Sequence, residues 1–363
     1  MTGRPGRAEQ VEPFLRGCAW PAAPGVPYPR FDPRDAGRLP ADTWQCATLP
    51  AGVRLELVGD AARLELDYTL GSTDLGYRGP GAGTTFAVWR GGVQVDEQPA
   101  AGAGAGAGPA PSAAAEAPAT AGTGGGGGAV ATVGLDLAPE AGGTAVVYLP
   151  EGLRPEIVAL RASGGSAAPA PRGPRWVAYG DSLLEGWVAS APALGWGAIV
   201  ARRHGLDLVN LGYAGSARGE IPCAEAIAAL EADVISITHG TTCWTRTPHS
   251  AGMLVEGTRA FLAIVRQGHP DTPIVLASPV LRPDAEATPN RLGATLADLR
   301  AAMEEAAAER IAGGDANLVL VPGAGVITAG QLADGIHPGD DGHATMARVF
   351  GAALASAAGT APG

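Results

Sequence analysis

After Pro174 the chain alternates short apolar runs with stretches of helical spacing. The runs are Trp176–Tyr179, Asp207–Leu211, Asp233–Thr238, Thr272–Ala277 and Asn317–Val321. The first reads as a buried strand and the others as further strands of the same kind of sheet. Between them lie helical segments at Leu194–Arg203 and Glu220–Glu231, and one marked by Leu254, Phe261, Leu262 and Val265. Leu292, Leu296, Leu299, Met303 and Ile311 follow at three- and four-residue steps, and Met346, Phe350 and Leu354 face inward from a last helix. Parallel strands joined by helices make an α/β, flavodoxin-like doubly wound sheet, whose ligands bind beyond the carboxyl ends of the strands.

Ahead of this region the rhythm is different. Val53–Val58 and Ala62–Tyr68 alternate apolar with charged side chains, the pattern of half-buried strands. Thr85–Trp89 and Val93–Val95 flank Arg90-Gly91-Gly92, a hairpin turn. Ala129–Val133, Ala145–Leu149 and Glu156–Leu160 supply further strands. Seven short strands without a long helix predict an all-β, jelly-roll-like sandwich over 1–162. Its expected role is to buttress its neighbour rather than to bind sugar, since a fold does not fix a function. Residues 101–128 interrupt it with Ala-Gly repeats and a run of glycines; no side chain there is larger than glutamate, so this insertion is expected to be disordered. Residues 163–174 read as a linker and 175–363 as the second domain.

Composition excludes several classes of function. The 363 residues carry a formal charge of −11, and arginine supplies every basic side chain. No basic stripe appears, which argues against nucleic acid. No run of about 18 apolar residues could span a membrane, and the amino end leads into no hydrophobic segment, so a cytoplasmic protein is expected. Cys18, Cys46, Cys223 and Cys243 lack metal-ligand spacing and would stay reduced there; a Cys18–Cys46 bridge is the alternative in an oxidising compartment. Asp340, Asp341 and His343 match no ligand pattern, so no metal is expected. Oligomeric state is not legible.

Four marked sequences follow four strand ends. Gly180-Asp181-Ser182-Leu183 puts a serine at a strand-to-turn junction, where its N–H and hydroxyl face one space; the plain alternative is an Asp-Ser helix cap. Asn210-Leu-Gly-Tyr-Ala-Gly-Ser-Ala-Arg218 is dotted with glycines that let a backbone N–H approach a substrate oxygen, or that merely turn. His239-Gly-Thr-Thr-Cys-Trp244 follows the third strand. Asp334-Gly-Ile-His-Pro338 precedes the last helix, where three-residue spacing can set the Asp334 carboxylate on one imidazole nitrogen of His337; the plain alternative is a helix cap beside a surface histidine. The other nitrogen is then free to take a serine proton.

Together these blocks resemble the SGNH (GDSL) hydrolase superfamily over roughly 175–357, and the β-rich front half resembles its two-domain branch. The resemblance implies that Ser182 is the nucleophile, His337 the base and Asp334 its orienter. It implies an oxyanion hole built from the N–H groups of Ser182 and Gly215, with Gly212 the other candidate, and a structural Asp181 tying adjacent loops. The third block departs from the family's Gly-x-Asn: Thr242 stands where the donating asparagine belongs, and Cys243 where an aspartate often follows. A threonine hydroxyl can donate, but it is shorter and rotates.

The expected function is a serine-dependent esterase acting on a small acyl ester, with no cofactor. The alternative is an acyltransferase or cyclase of a specialised pathway that uses the same site with a bound nucleophile in place of water. A binding protein with a decayed site and a Cys243 nucleophile are weaker readings.

Overall fold

The computed structural model describes residues 9–71, 83–101 and 129–359. Beyond Ala101, the insertion expected to be disordered lies outside these residues. Two compact units emerge: one holds residues up to Pro29, Leu49–Arg172 and Ser190–Ala193, the other Arg30–Thr48, Gly173–Ala189 and the chain from Leu194. The stretch 30–48, which lies ahead of Arg54–Gly59 and the strands after it, therefore packs with the α/β unit.

In the first unit the strands are β1 (Leu15–Arg16), β2 (Arg54–Gly59), β3 (Arg63–Leu70), β4 (Thr85–Arg90), β5 (Val93–Pro99), β6 (Ala131–Asp136), β7 (Ala145–Tyr148), β8 (Pro155–Ser163) and β9 (Ala167–Pro169). They form an antiparallel sheet in the order β1-β2-β7-β4-β5, with β9 also on β2, and a three-stranded sheet β6-β3-β8. Alternation works as read: Leu64, Leu66 and Tyr68 are buried while Arg63 and Glu65 face water. They join Leu55, Leu57, Phe86, Val88 and Val147 from the other sheet in one core. Gly91 and Gly92 both have positive φ, as a two-residue hairpin turn between β4 and β5 requires. The expected linker carries β9, because its Ala167–Pro169 backbone finds ladder partners on β2.

The second unit contains α1 (Ala41–Ala47) and five parallel strands, β10 (Arg175–Gly180), β11 (Asp207–Gly212), β12 (Val234–Thr238), β13 (Ile274–Ala277) and β14 (Leu318–Val321). Their spatial order is β11-β10-β12-β13-β14, so the chain steps to one side of β10 and then winds out on the other. Helices α2 (Ser182–Glu185), α3 (Trp196–His204), α4 (Ile221–Ala229), α5 (Ala251–Gly268) and α6 (Leu296–Ala312) connect them, and α7 (Asp340–Ala357) follows the last strand. One face is covered by α3 packed on α7, the other by α4, α5 and α6 side by side. Trp176, Trp196, Val200, Val275, Met346, Phe350 and Leu354 form the core under α3 and α7.

The α6 pattern is shorter than its periodicity predicts. Thr295 and Asp298 make a reciprocal capping box that starts the helix at Leu296, leaving Leu292 in the loop and 51% exposed. Ile311, in the final turn, is 39% exposed rather than core. Among the described residues no helix is long and apolar enough to cross a membrane.

Candidate active site

The site starts where β10 runs out. Gly180 has no room for a side chain: a Cβ there would lie 2.4 Å from Thr238 Oγ1 and 2.9 Å from Leu184 Cβ. The next residue, Asp181, caps α2 by accepting the Leu183 N–H at 3.1 Å, which leaves Ser182 as the first helical residue. Asp181 also accepts from the backbone and hydroxyl of Thr241, so it ties the first and third blocks together. Burial pushes its carboxyl up to about 6, against the pull of Leu183, His337 and Thr241.

Ser182 Oγ lies 3.0 Å from His337 Nε2, and His337 Nδ1 lies 2.8 Å from Asp334 Oδ2. With Nδ1–H donating to the carboxylate, the Nε2 lone pair is the acceptor for the serine hydroxyl. Asp334 also organises its own turn, since Oδ1 accepts the N–H groups of Ile336 at 2.9 Å and His337 at 2.7 Å. Burial would raise this carboxyl, but the hydrogen bond and charge of His337 and the two backbone donors outweigh it and hold it well below the usual carboxylate range. It is therefore ionised whenever the imidazole can act as a base. Asp334 thus supports a local turn and orients the imidazole at once.

Trp187 packs beside this imidazole, ring centroids 5.8 Å apart. Its carbonyl lies 3.3 Å from His343 Nε2, and His343 Nδ1 accepts the Trp196 N–H at 3.3 Å. His343 is thus a core histidine bonded through both ring nitrogens. Among the described residues no group of three or more His, Cys, Asp or Glu side chains could hold a metal ion.

In the second block, Asn210 Oδ1 accepts the Gly212 N–H at 2.8 Å, so that N–H is committed within its own loop. Gly215 has φ +70, and among the described residues its N–H has no acceptor. The Ser182 N–H, in the first helical turn, is also without one. In the third block the buried Thr242 hydroxyl donates to Ala217 O, so its proton is engaged in tying this block to the second. Cys243 Sγ lies 3.9 Å from Arg218 O, and burial, with the charges of Glu220 and Asp181, pushes the thiol up; it is no thiolate at neutral pH.

The structure thus brings Ser182, His337 and Asp334 into one hydrogen-bonded line. Among the described residues it leaves the Ser182 and Gly215 N–H groups without acceptors, and it turns the Thr242 hydroxyl toward Ala217. Sequence reasoning missed Glu185 and Arg30, which hold the second block from beneath. Glu185 Oε2 accepts the Ala214 N–H at 3.1 Å and pairs with the Arg30 guanidinium at 3.1 Å. Glu185, three residues after the serine on the same short helix, had a signal in its spacing; Arg30 had none.

A family model for the GDSL-like lipase/acylhydrolase family matches residues 174–355. The chain belongs to that family. No curated protein sequence matches it. Among solved structures, a salicylyl-acyltransferase from a tetracycline biosynthetic pathway is similar over 95% of this chain and 94% of that one, at 24% identity and TM-score 0.74. A putative GDSL-like lipase from Bacteroides ovatus is similar over 97% of both chains, at 20% identity and TM-score 0.70. A family two carbohydrate esterase from Clostridium thermocellum shares 14% identity over 85% of this chain and 93% of its own, with TM-score 0.55. At these identities the likeness is one of fold.

Proposed function

We propose that this GDSL-like protein is a serine-dependent esterase that cleaves a small acyl ester through an acyl-enzyme. The observation that carries the reading is the line of contacts from Asp334 through His337 to Ser182, at 2.8 and 3.0 Å. Ser182 Oγ attacks the carbonyl carbon as His337 Nε2 takes its proton, and the carbonyl electron pair moves onto oxygen. The N–H groups of Ser182 and Gly215 are the donors we assign to that oxyanion. Collapse breaks the bond to the alcohol, which leaves with the proton from His337. Water then repeats the sequence on the acyl-serine, releasing the acid and restoring the hydroxyl. Asp334 stays ionised throughout, holding Nδ1–H and offsetting the imidazolium charge. The antiparallel sheets of the first unit we read as the jelly-roll-like sandwich of the family's two-domain branch.

Treatment with a fluorophosphonate should place one adduct on Ser182, and both Ser182→Ala and His337→Ala should abolish labelling while the protein stays folded. Labelling of another residue, or of Ser182→Ala protein at the wild-type rate, would end the acyl-enzyme reading.

A second reading, transfer of the acyl group to a bound alcohol or amine or its cyclisation, is favoured by one observation. The Thr242 hydroxyl is engaged with Ala217 O, so the third donor this family usually supplies is replaced by a contact between loops. Losing one oxyanion donor typically costs about 10²–10³ in turnover, a loss better tolerated where a positioned acceptor replaces water. The full-length likeness to a salicylyl-acyltransferase points the same way. Partition of an acetyl ester between free acid and transfer product, with added alcohols and amines, separates the two.

A further inference from the structure

The loop carrying Gly215 is held by a segment that the family model does not reach. Residues 30–48 leave the β-rich unit, pack within the α/β unit and return. Arg30 N donates to Ala47 O at 2.8 Å, closing the segment on itself. Its guanidinium is almost wholly buried, at 1% exposure. One nitrogen, Nη1, donates to Gly212 O and, at 3.3 Å, to Asn210 O. The other, Nη2, donates to Cys46 O at 2.7 Å and to Glu185 Oε2 at 3.1 Å. The cation lies 5.3 Å from the centroid of the Tyr213 ring, whose hydroxyl donates back to Arg30 O at 2.5 Å.

Further along the segment the contacts continue. Cys46 Sγ lies 3.2 Å from Ala214 O, Arg218 pairs with Asp42, and Thr43 Oγ1 donates to Glu220 Oε1 at 3.1 Å. The second block is therefore bonded on both sides of Gly215, at the β11 residues Asn210 and Gly212 and at Tyr213 and Ala214 before it, and at Arg218 and Glu220 after it. Among the described residues the Gly215 N–H itself has no acceptor.

We propose that residues 30–48 are a strap that sets the oxyanion loop, and that Arg30 is its positioning residue. A planar guanidinium suits the task because it meets two carbonyls at the end of β11, from which the loop departs, one of the strap and the Glu185 carboxylate in a fixed fork; lysine offers a point charge on a flexible stem. Glu185 completes the frame: its Oε2 atom holds both Arg30 and the Ala214 N–H, so the helix bearing Ser182 and the loop bearing Gly215 share one anchor. Arg30 acts on the reaction through the position of the Gly215 N–H and touches no reacting atom. The proposal rests on the acyl-enzyme reading above.

The test uses the full chain and a fluorophosphonate, measuring the labelling rate at saturation (kinact), the half-saturation concentration (KI) and the fraction of protein labelled. Arg30→Met should lower kinact about 10²-fold, the loss typical of one oxyanion donor, with KI unchanged. Arg30→Lys should recover part of the loss. A merely structural role would lower the labelled fraction and leave kinact of the folded remainder intact. Tyr213→Phe removes only the hydroxyl bond to Arg30 O, and it carries the test if Arg30→Met does not fold: kinact should fall severalfold at constant KI. Wild-type kinact in folded Arg30→Met, or in Tyr213→Phe when the methionine variant does not fold, overturns the strap proposal alone. Failure of the wild-type protein to label at Ser182 overturns the acyl-enzyme reading and this proposal with it.

Discussion

Asp181 answers to two demands, and pH separates them. As a cap and loop tie it accepts hydrogen bonds as a carboxylate, yet it is 1% exposed, and burial pushes it up to about 6. In the unfolded chain it titrates near 3.9. Between about pH 4 and 6 the native state therefore holds the extra proton, and stability falls as pH rises through that window, by about 3 kcal/mol for a shift of about two units. Asp334 has the opposite sign: its contribution is present above the ordinary carboxylate pKa and is lost as pH falls below it. Urea unfolding from pH 4 to 7 should show the Asp181 slope in wild-type protein and not in Asp181→Asn, with the Asp334 effect common to both. Equal slopes would mean that Asp181 titrates as a solvated carboxylate. Ser182, Asp334 and His337 were legible as candidates because each sits in a local pattern, the serine at the end of β10 and the other two in the turn ahead of α7. Arg30 was not, because its acceptor in Gly212 lies 182 residues away and nothing near Arg30 marks it. The Thr242 substitution was legible too, but the direction of its hydroxyl was not, since that depends on a carbonyl in another loop.

Among the elements, α6 shows how a cap decides what periodicity leaves open. The three- and four-residue steps from Leu292 to Ile311 fit one stripe, but the Thr295–Asp298 capping box starts the helix only at Leu296. Leu299 is fully buried and Leu292 half exposed. Leu299→Ala should therefore cost about 2–5 kcal/mol, Thr295→Ala about 1 kcal/mol, and Leu292→Ser almost nothing, all read from melting curves. A large loss for Leu292→Ser would place that side chain in the core. The five parallel strands were legible from their apolar runs; four of them are buried on both faces, while the edge strand β14 leaves Val319 39% exposed. β1 and β9 were not, since they are only two and three residues long and exist by virtue of partners on β2.

For the whole molecule, the boundary of the family match is not a boundary of folding. A chain beginning at Gly173 would contain every strand of the parallel sheet but lack the strap. The buried Glu185 carboxylate would lose its guanidinium, and breaking such a pair by removing one partner costs about 3–5 kcal/mol. Residues 173–363 expressed alone should consequently melt well below the full chain or fail to fold, by calorimetry or circular dichroism; equal melting temperatures would show the strap to be dispensable. The strap also gives the chain a timetable. It leaves the ribosome 182 residues before the Gly212 carbonyl that Arg30 holds, which at about 5–20 residues per second is a wait of roughly 10–35 s. Throughout that interval the strand carrying its acceptor does not yet exist. The Gly215 loop thus takes its final shape only once distant parts of the chain have met, so a nascent chain carries its nucleophile before it carries a set place for the charge that the nucleophile creates.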